Sequence, residues 1–367
     1  MVVIAHSSEY LLRLINARYI GNAAHWFFDQ VHYSFGLLGV ELFFVLSGFL
    51  IGNILIKTFI NSPFSFSDVR NFWVRRWFRT LPLYWLVLTA NIILYAIIHH
   101  EVPAAYKFSY YFFLQNLWYP HPPYFFGESW SLSVEEWFYI TLPVAMYLSA
   151  LIFHPSDKKK FLLRVFVAYL AVFLLTRFFN AFHPINGPDQ DTGIRKVVVF
   201  RLDAVMYGVL IAYFNNYSSH ILNRLKNYLF LIGISGTIFI FYLLTNTSVN
   251  ITASSSPAIR FSSDAFLYLF IPLFFSLCLP YAYNIKTLKN KYAAAFFGHI
   301  SKISYSMYLV HYTLIFITYF CYMKSVSMHA AAAYYVLYWV IVITLSSILY
   351  KYFESPIMRL RDKFSKK

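Results

Sequence analysis

Stretches of about 20 predominantly apolar residues recur along almost the whole chain, and that recurrence constrains the fold more than any other feature. A helix needs about 20 such residues to cross a bilayer. The pattern therefore specifies an all-α, polytopic transmembrane helix bundle. Composition agrees. Only 12% of residues are charged and 59% are hydrophobic, with mean hydropathy +0.56, whereas a soluble domain carries roughly 25% charge. The spans read as 1–15, 35–56, 80–99, 131–153, 161–180, 197–214, 228–245, 264–283, 303–323 and 331–352, about ten in all. Residues 106–118 are too short and polar a stretch to span and read as interfacial or re-entrant.

The net charge is +15. In a soluble protein that excess would suggest a nucleic-acid partner, but no nucleic-acid motif accompanies it and none is expected to bind. The positive charge lies between spans instead. Segments 57–79, 154–164, 215–227, 284–302 and 351–367 hold 21 of the 30 Lys and Arg residues. The positive-inside rule places those segments in the cytoplasm. The reading is a multi-pass protein of the inner (cytoplasmic) membrane with both termini cytoplasmic and His6 in the outer half of the first span. The opening MVVIAH lacks the basic segment and cleavage site of a signal peptide; it reads as the second half of a truncated first helix. Residues 1–356 form one membrane domain and 357–367 a basic cytoplasmic tail. Cys278 and Cys321 both fall in apolar stretches, which excludes a disulfide framework and a CxxC-type zinc site. No metal ligand set is apparent.

Ionisable residues inside apolar spans are costly and mark function or helix-locking contacts. In VVIAHSSEY, His6 has Glu9 at i+3 and Tyr10 at i+4, on one helical face. A carboxylate there would orient an imidazole suited to general-base work. In GVELFFVLSGFLIG, Glu41 is the only charge, read as an interhelical polar contact; Gly48 and Gly52 permit close helix packing. In ESWSLSVEEWFY, Ser129, Ser133 and Glu136 share a face beside Glu135. The two carboxylates would bind an acceptor or assist proton transfer, or simply favour a helix start. Arg201 and Asp203 in RLDAVMYG read as neutralising other buried groups, and Ser304, Tyr308 and His311 as a polar stripe facing the bundle interior. Arg75, Arg76 and Arg79 in FWVRRWFRTLPLYW would hold phosphates, or serve as ordinary positive-inside charge.

Taken in order, VVIAH, GVELFFVLSGFLI, FWVRRWFRTLPLYW, SWSLSVEEWFY, RLDAVMYG, ISYSMYLVH and YFESP resemble the bacterial integral-membrane acyltransferase-3 family, over residues 1 to about 356. The resemblance implies an O-acyltransferase of O-antigen, exopolysaccharide, lipopolysaccharide or another envelope glycan, and the sequence leaves the acceptor open among polysaccharide, lipid-linked sugar, peptidoglycan and secondary metabolite. Acyl-CoA, foremost acetyl-CoA, would be a donor substrate rather than a bound cofactor. His6 matches the family's catalytic histidine, Arg75, Arg76 and Arg79 its basic motif, Glu135 and Glu136 its acidic motif, and Ser47 and Gly48 its SGF segment. One departure stands out. The family writes R-x10-H, and the chain starts only five residues before His6. A misassigned start is the expectation, with a catalytically impaired remnant as the alternative.

The expected reaction docks acyl-CoA on the three arginines and uses His6 to deprotonate an acceptor hydroxyl that attacks the thioester. Glu41, Glu135, Glu136, Asp203 and His311 are candidates to line the path between donor and acceptor. A multi-span transporter is the rival from another class, since buried carboxylates and histidines also serve transport, but no internal repeat supports it.

Overall fold

The computed structural model describes residues 1–14, 22–61, 63–101, 104–122, 125–183, 191–246, 261, 263–285, 287, 289–321 and 328–364. Among these residues there are helices and turns and no strand. The helices are α1 (Val2–Leu14), α2 (Asn22–Asn61), α3 (Phe66–His99), α4 (Ala104–Tyr111), α5 (Ser129–Phe153), α6 (Lys158–Phe182), α7 (Leu202–Tyr217), α8 (Ser219–Asn246), α9 (Tyr268–Tyr283), α10 (Lys291–Cys321), α11 (Met328–Leu349) and α12 (Ser355–Arg361). Seven described segments are long and apolar enough to cross a membrane: His32–Asn61, Phe66–His99, Ser129–Phe153, Lys158–Phe182, Ser219–Thr245, Ala265–Tyr283 and His329–Arg361. Many of their outward side chains are large and apolar, Leu50, Ile97, Ile152, Leu175 and Ile238 among them, as a lipid-facing surface requires.

Several helices run longer than their apolar cores. α3 begins at Phe66 rather than near residue 80, because Ser65 and Asp68 build a capping box: the Asp68 carboxylate accepts from the Ser65 N–H at 2.9 Å. Arg75, Arg76 and Arg79 thus sit within a helix and not in the segment before it. α6 is started by Asp157, whose carboxylate accepts from the Lys159 and Lys160 N–H groups.

The most extensive helix pair is α2 with α7, and glycine makes it possible. A Cβ on Gly48 would lie 1.8 Å from the Val205 carbonyl oxygen, and one on Gly208 would lie 2.0 Å from that of Val45. The two backbones touch, so both positions exclude any side chain, which is the packing role expected of Gly48. α1 lies against α2, α10 and α11, which brings the chain's first residues to its last long helices. Residues 112–122, after α4, carry no regular helix, and Gln115 and Asn116 there are buried. Irregular backbone is tolerated at such depth only where protein surrounds it. Here the Asn116 carbonyl accepts from the Val198 N–H at 2.9 Å. The Asn116 side chain donates to the carbonyls of Lys196 (2.6 Å) and Trp130 (3.1 Å).

Candidate active site

α1 presents His6 to α10, where His311 meets it. His6 Nδ1 lies 2.8 Å from His311 Nε2, with the two rings nearly parallel. The other nitrogen of His311, Nδ1, lies 2.6 Å from the Tyr308 carbonyl. A carbonyl can only accept, so His311 Nδ1 carries a proton and, in the neutral ring, Nε2 does not. His6 Nδ1 must then donate to His311 Nε2, which leaves His6 Nε2 as a basic lone pair. The tautomer of one histidine is set by the backbone beneath the other. His32 stands close by, its ring 5.7 Å from that of His6, with Nδ1 donating to the Ala5 carbonyl at 3.1 Å.

A cavity of about 240 Å³ opens at this point. Its walls include His6, His32, Glu128, Trp130, Arg195 and Tyr312. Asp191 pairs with Arg195 at 2.5 Å and with Lys196. Burial pushes the Asp191 carboxyl up, but the two adjacent cations outweigh it and hold the group at about 2. Arg195 lies over the Trp130 ring at 5.0 Å. The Tyr308 hydroxyl donates to the Glu128 carbonyl at 2.9 Å and lies 2.6 Å from the Ser131 hydroxyl, which ties α10 to the start of α5.

A second polar cluster lies further along α5. Ser47 and Tyr139 share a hydrogen bond at 2.6 Å, and Tyr139 donates to Glu135 at 2.9 Å. The Arg76 guanidinium sits over the Tyr139 ring at 5.5 Å, beside Glu135 and Glu136. Arg75 and Arg76 are partly exposed and Arg79 is exposed. From Glu128 to Glu136 the helix rises about 12 Å at 1.5 Å per residue. α5 therefore connects the histidine cavity to the arginine cluster.

A third group is closed. Both Glu41 carboxylate oxygens contact Arg201 Nη2, at 2.5 and 2.6 Å. Arg177 meets Asp203 at 2.5 Å, and all four side chains have zero exposure.

The structure gives Glu41, Arg201 and Asp203 the interhelical, charge-neutralising contacts read for them, and corrects two placements, the path role of Glu41 and Asp203 and the interior stripe at Ser304. Glu135 and Glu136 stand with the arginines and not beside His6. Glu41 and Asp203 are matched by Arg201 and Arg177, so they do not line an open path. Ser304 is exposed and bonds back to the Ser301 carbonyl at 2.9 Å; its face of α10 is uncovered there, and Ser306, bonded to Glu354, is the buried serine instead. The partner of His6 is His311; the Glu9 side chain lies outside the described residues.

The model of the acyltransferase-3 family, an acyltransferase domain, matches residues 1–351. The chain belongs to that family. Among relatives of this family member, the peptidoglycan O-acetyltransferase OatA of Listeria monocytogenes is 31% identical over 121 residues, 29% of the chain and 19% of OatA. A Bacillus subtilis protein provisionally named a peptidoglycan O-acetyltransferase is 33% identical over 130 residues, 31% of the chain and 20% of that protein. A Staphylococcus aureus protein provisionally named an O-acetyltransferase is 29% identical over 196 residues, 48% of the chain and 30% of that protein. The aligned segments thus cover between 19% and 30% of these relatives' length. No solved structure matches.

Sequence reasoning missed His32, Glu128, Asp191, Arg195 and Lys196 as cavity residues, and Arg177 as the mate of Asp203. The segment DTGIRK offered a signal, since Asp191, Arg195 and Lys196 are charges outside the segments that hold most of the Lys and Arg. His32 offered none, lying just before the apolar run of α2. Among the described residues no cluster of three or more His, Cys, Asp or Glu could hold a metal ion.

Proposed function

We propose that this protein is a membrane O-acyltransferase that moves an acyl group, foremost acetyl, from acyl-CoA to a hydroxyl of a cell-envelope glycan. The observation that carries the reading is the oriented imidazole: His6 with its Nδ1–H committed to His311 and its Nε2 without a hydrogen-bond partner among the described residues, on the wall of a cavity that also holds aromatic and cationic side chains. Such a nitrogen is a general base for an alcohol. The acceptor O–H proton moves to His6 Nε2 as the oxygen attacks the thioester carbonyl. The C–S bond then breaks, and the departing CoA sulfur takes the proton from His6. Arg195 and Lys196, on the cavity wall, supply positive charge near the carbonyl oxygen as it becomes negative.

Arg75, Arg76 and Arg79 are the proposed dock for the CoA phosphates at the cytoplasmic face, in a topology of about ten spans with both termini on the cytoplasmic side of the inner membrane. The slender thioester arm then follows α5 toward His6, passing Glu135 and Glu136. The names of the relatives favour a peptidoglycan-type saccharide as acceptor over lipopolysaccharide. The test is acetyl-CoA turnover in nanodiscs, followed as free thiol release with and without a glycan acceptor. Acceptor-dependent release of thiol together with acetylated product supports the reading. Folded protein that consumes neither acetyl-, succinyl- nor longer acyl-CoA refutes it.

A further inference from the structure

Among the described residues, Glu128 is the one buried acid of the cavity that the reaction above leaves unused. It stands immediately before α5 and is 3% exposed, and neither of its carboxyl oxygens has a hydrogen-bond partner among the described residues. An unpartnered buried polar group costs several kcal/mol relative to water. Its backbone, by contrast, is held firmly. The Glu128 carbonyl accepts from the Tyr308 hydroxyl at 2.9 Å and from the Ser131 hydroxyl at 3.3 Å. The residue is therefore held by a rigid support beside an open space, and its buried carboxyl has no mate among the described residues.

That space is the cavity of His6. Glu128 lines it and also lines a smaller adjoining void beside Asn91, Tyr95 and Thr313, with Tyr312 shared between the two. Trp130 and Tyr312 add flat apolar faces to the same walls. Flat faces beside a group able to make two hydrogen bonds fit a pyranose, whose C–H faces lie on rings while adjacent hydroxyls turn to a carboxyl. A thioester offers no hydroxyl, so the group is matched to the acceptor and not to the donor.

We propose that Glu128 is an acceptor-recognition residue: it binds a second hydroxyl or N–H of a pyranose, next to the hydroxyl presented to His6 Nε2. This rests on the acyl-transfer reading for what happens to the sugar and stands on geometry for where the sugar sits. Glu128 thereby selects acceptors with a hydrogen-bonding group adjacent to the acylated position and rejects those without one. A carboxyl pushed up to about 8 by burial both donates and accepts at neutral pH, so a carboxamide reproduces the contact.

The experiment measures calorimetric binding of methyl N-acetylglucosaminide and its 3-, 4- and 6-deoxy forms to the full chain in nanodiscs, without acyl-CoA. Wild type, Glu128→Gln and Glu128→Leu are compared, and acetyl transfer to the bound sugars is assayed in parallel. Wild type is expected to bind the parent glycoside, Glu128→Gln to bind it within about threefold, and Glu128→Leu to lose about 10- to 100-fold, the value of one or two hydrogen bonds in a buried site. One deoxy form should lose as much against wild type and nothing further against Glu128→Leu. Equal affinity of wild type and Glu128→Leu, or no glycoside bound by wild type, overturns the proposal. If Glu128→Leu does not fold, the deoxy series on wild type decides alone: uniform affinity across it overturns the proposal. Binding that follows this pattern without acetyl transfer upholds the recognition site and counts against the acyl-transfer reading. Transfer whose acceptor KM ignores Glu128 does the reverse.

Discussion

The His6 cavity and the Glu41–Arg201 and Arg177–Asp203 core are both buried and both built from ionisable residues, yet they differ in how their polar groups are matched. In the core each carboxylate is ion-paired with a guanidinium at 2.5 Å with no exposure, although Arg177 Nε and Nη2, Arg201 Nε and Asp203 Oδ1 have no hydrogen-bond partner among the described residues. That arrangement joins α2 and α6 to the segment around α7, and it offers nothing to a substrate. In the cavity His6 and Glu128 line open volume, and the buried Glu128 carboxyl has no hydrogen-bond partner among the described residues. Buried charge in a membrane chain is thus not a marker of function by itself; buried polarity left unmatched beside a void is. The comparison makes separable predictions.

The largest effect belongs to His6. General-base catalysis contributes about 10²- to 10⁴-fold, so His6→Ala should lower kcat by that factor with an unchanged melting temperature. Near-wild-type turnover by the variant would refute the base role. The matching core change has the opposite signature. Glu41→Leu leaves Arg201 buried and uncompensated and should cost roughly 3–5 kcal/mol of stability, while Glu41→Leu with Arg201→Leu should recover most of it. A Glu41→Leu protein that stays as stable as wild type and loses only turnover would move that pair into the site and erase the distinction drawn above.

His311 sits on the boundary between the two behaviours, since it is matched on one side and gives its match to His6 on the other. Its loss should lower kcat by about 10- to 100-fold, the value of one strong buried hydrogen bond. His311→Gln should recover part of that, because a side-chain carbonyl can accept from His6 Nδ1. A purely structural role would instead lower stability equally in His311→Ala and His311→Gln and leave the pH profile of kcat unmoved. At the other end of α5, replacing Arg75, Arg76 and Arg79 together by Gln should raise the KM for acyl-CoA about tenfold, as the loss of exposed charge-assisted contacts would, and leave the acceptor KM unaltered. An unchanged acyl-CoA KM returns those arginines to ordinary positive-inside charge.

Much of this molecule was legible in its sequence because the bilayer imposes a coarse rule. Long apolar runs gave the helical class, and lone charges within them, at His6, Glu41, Arg201 and Asp203, pointed to the interior. Pairing was not legible. His6 and His311 are 305 positions apart, and only the packing of α1 on α10 joins them. Helical spacing pointed from His6 to Glu9, whose side chain lies outside the described residues, and spacing along one helix says nothing of what a neighbouring helix offers. Glu135 and Glu136 were assigned to catalysis by motif, whereas their helix turns them toward Arg76. The arginines fell outside the expected span because a hydropathy pattern marks the apolar core of a helix, and the Ser65–Asp68 box extends α3 well before it. Ser304 failed for a related reason: a shared helical face is buried only as far as neighbouring helices cover it.

The smallest predicted effect concerns Glu128 in the resting protein. Burial raises its carboxyl from an ordinary 4.5 to about 8, with no neighbouring charge contributing to the rise. The folded chain therefore holds this proton more tightly than the unfolded chain does. The resulting stability is full below pH 4.5, declines as the pH rises, and is gone once the pH passes about 8. The slope cannot exceed one proton, about 1.4 kcal/mol per pH unit. Asp191, held near 2 by Arg195 and Lys196, stays ionised throughout and adds nothing in that window. Melting temperatures of wild type and Glu128→Gln in nanodiscs between pH 5 and 8 separate the contribution: wild type should fall relative to the variant as pH rises. Parallel curves would mean that water reaches the carboxyl and matches it, and the unmatched state that sets the cavity apart from the ion-paired core would then not exist at Glu128.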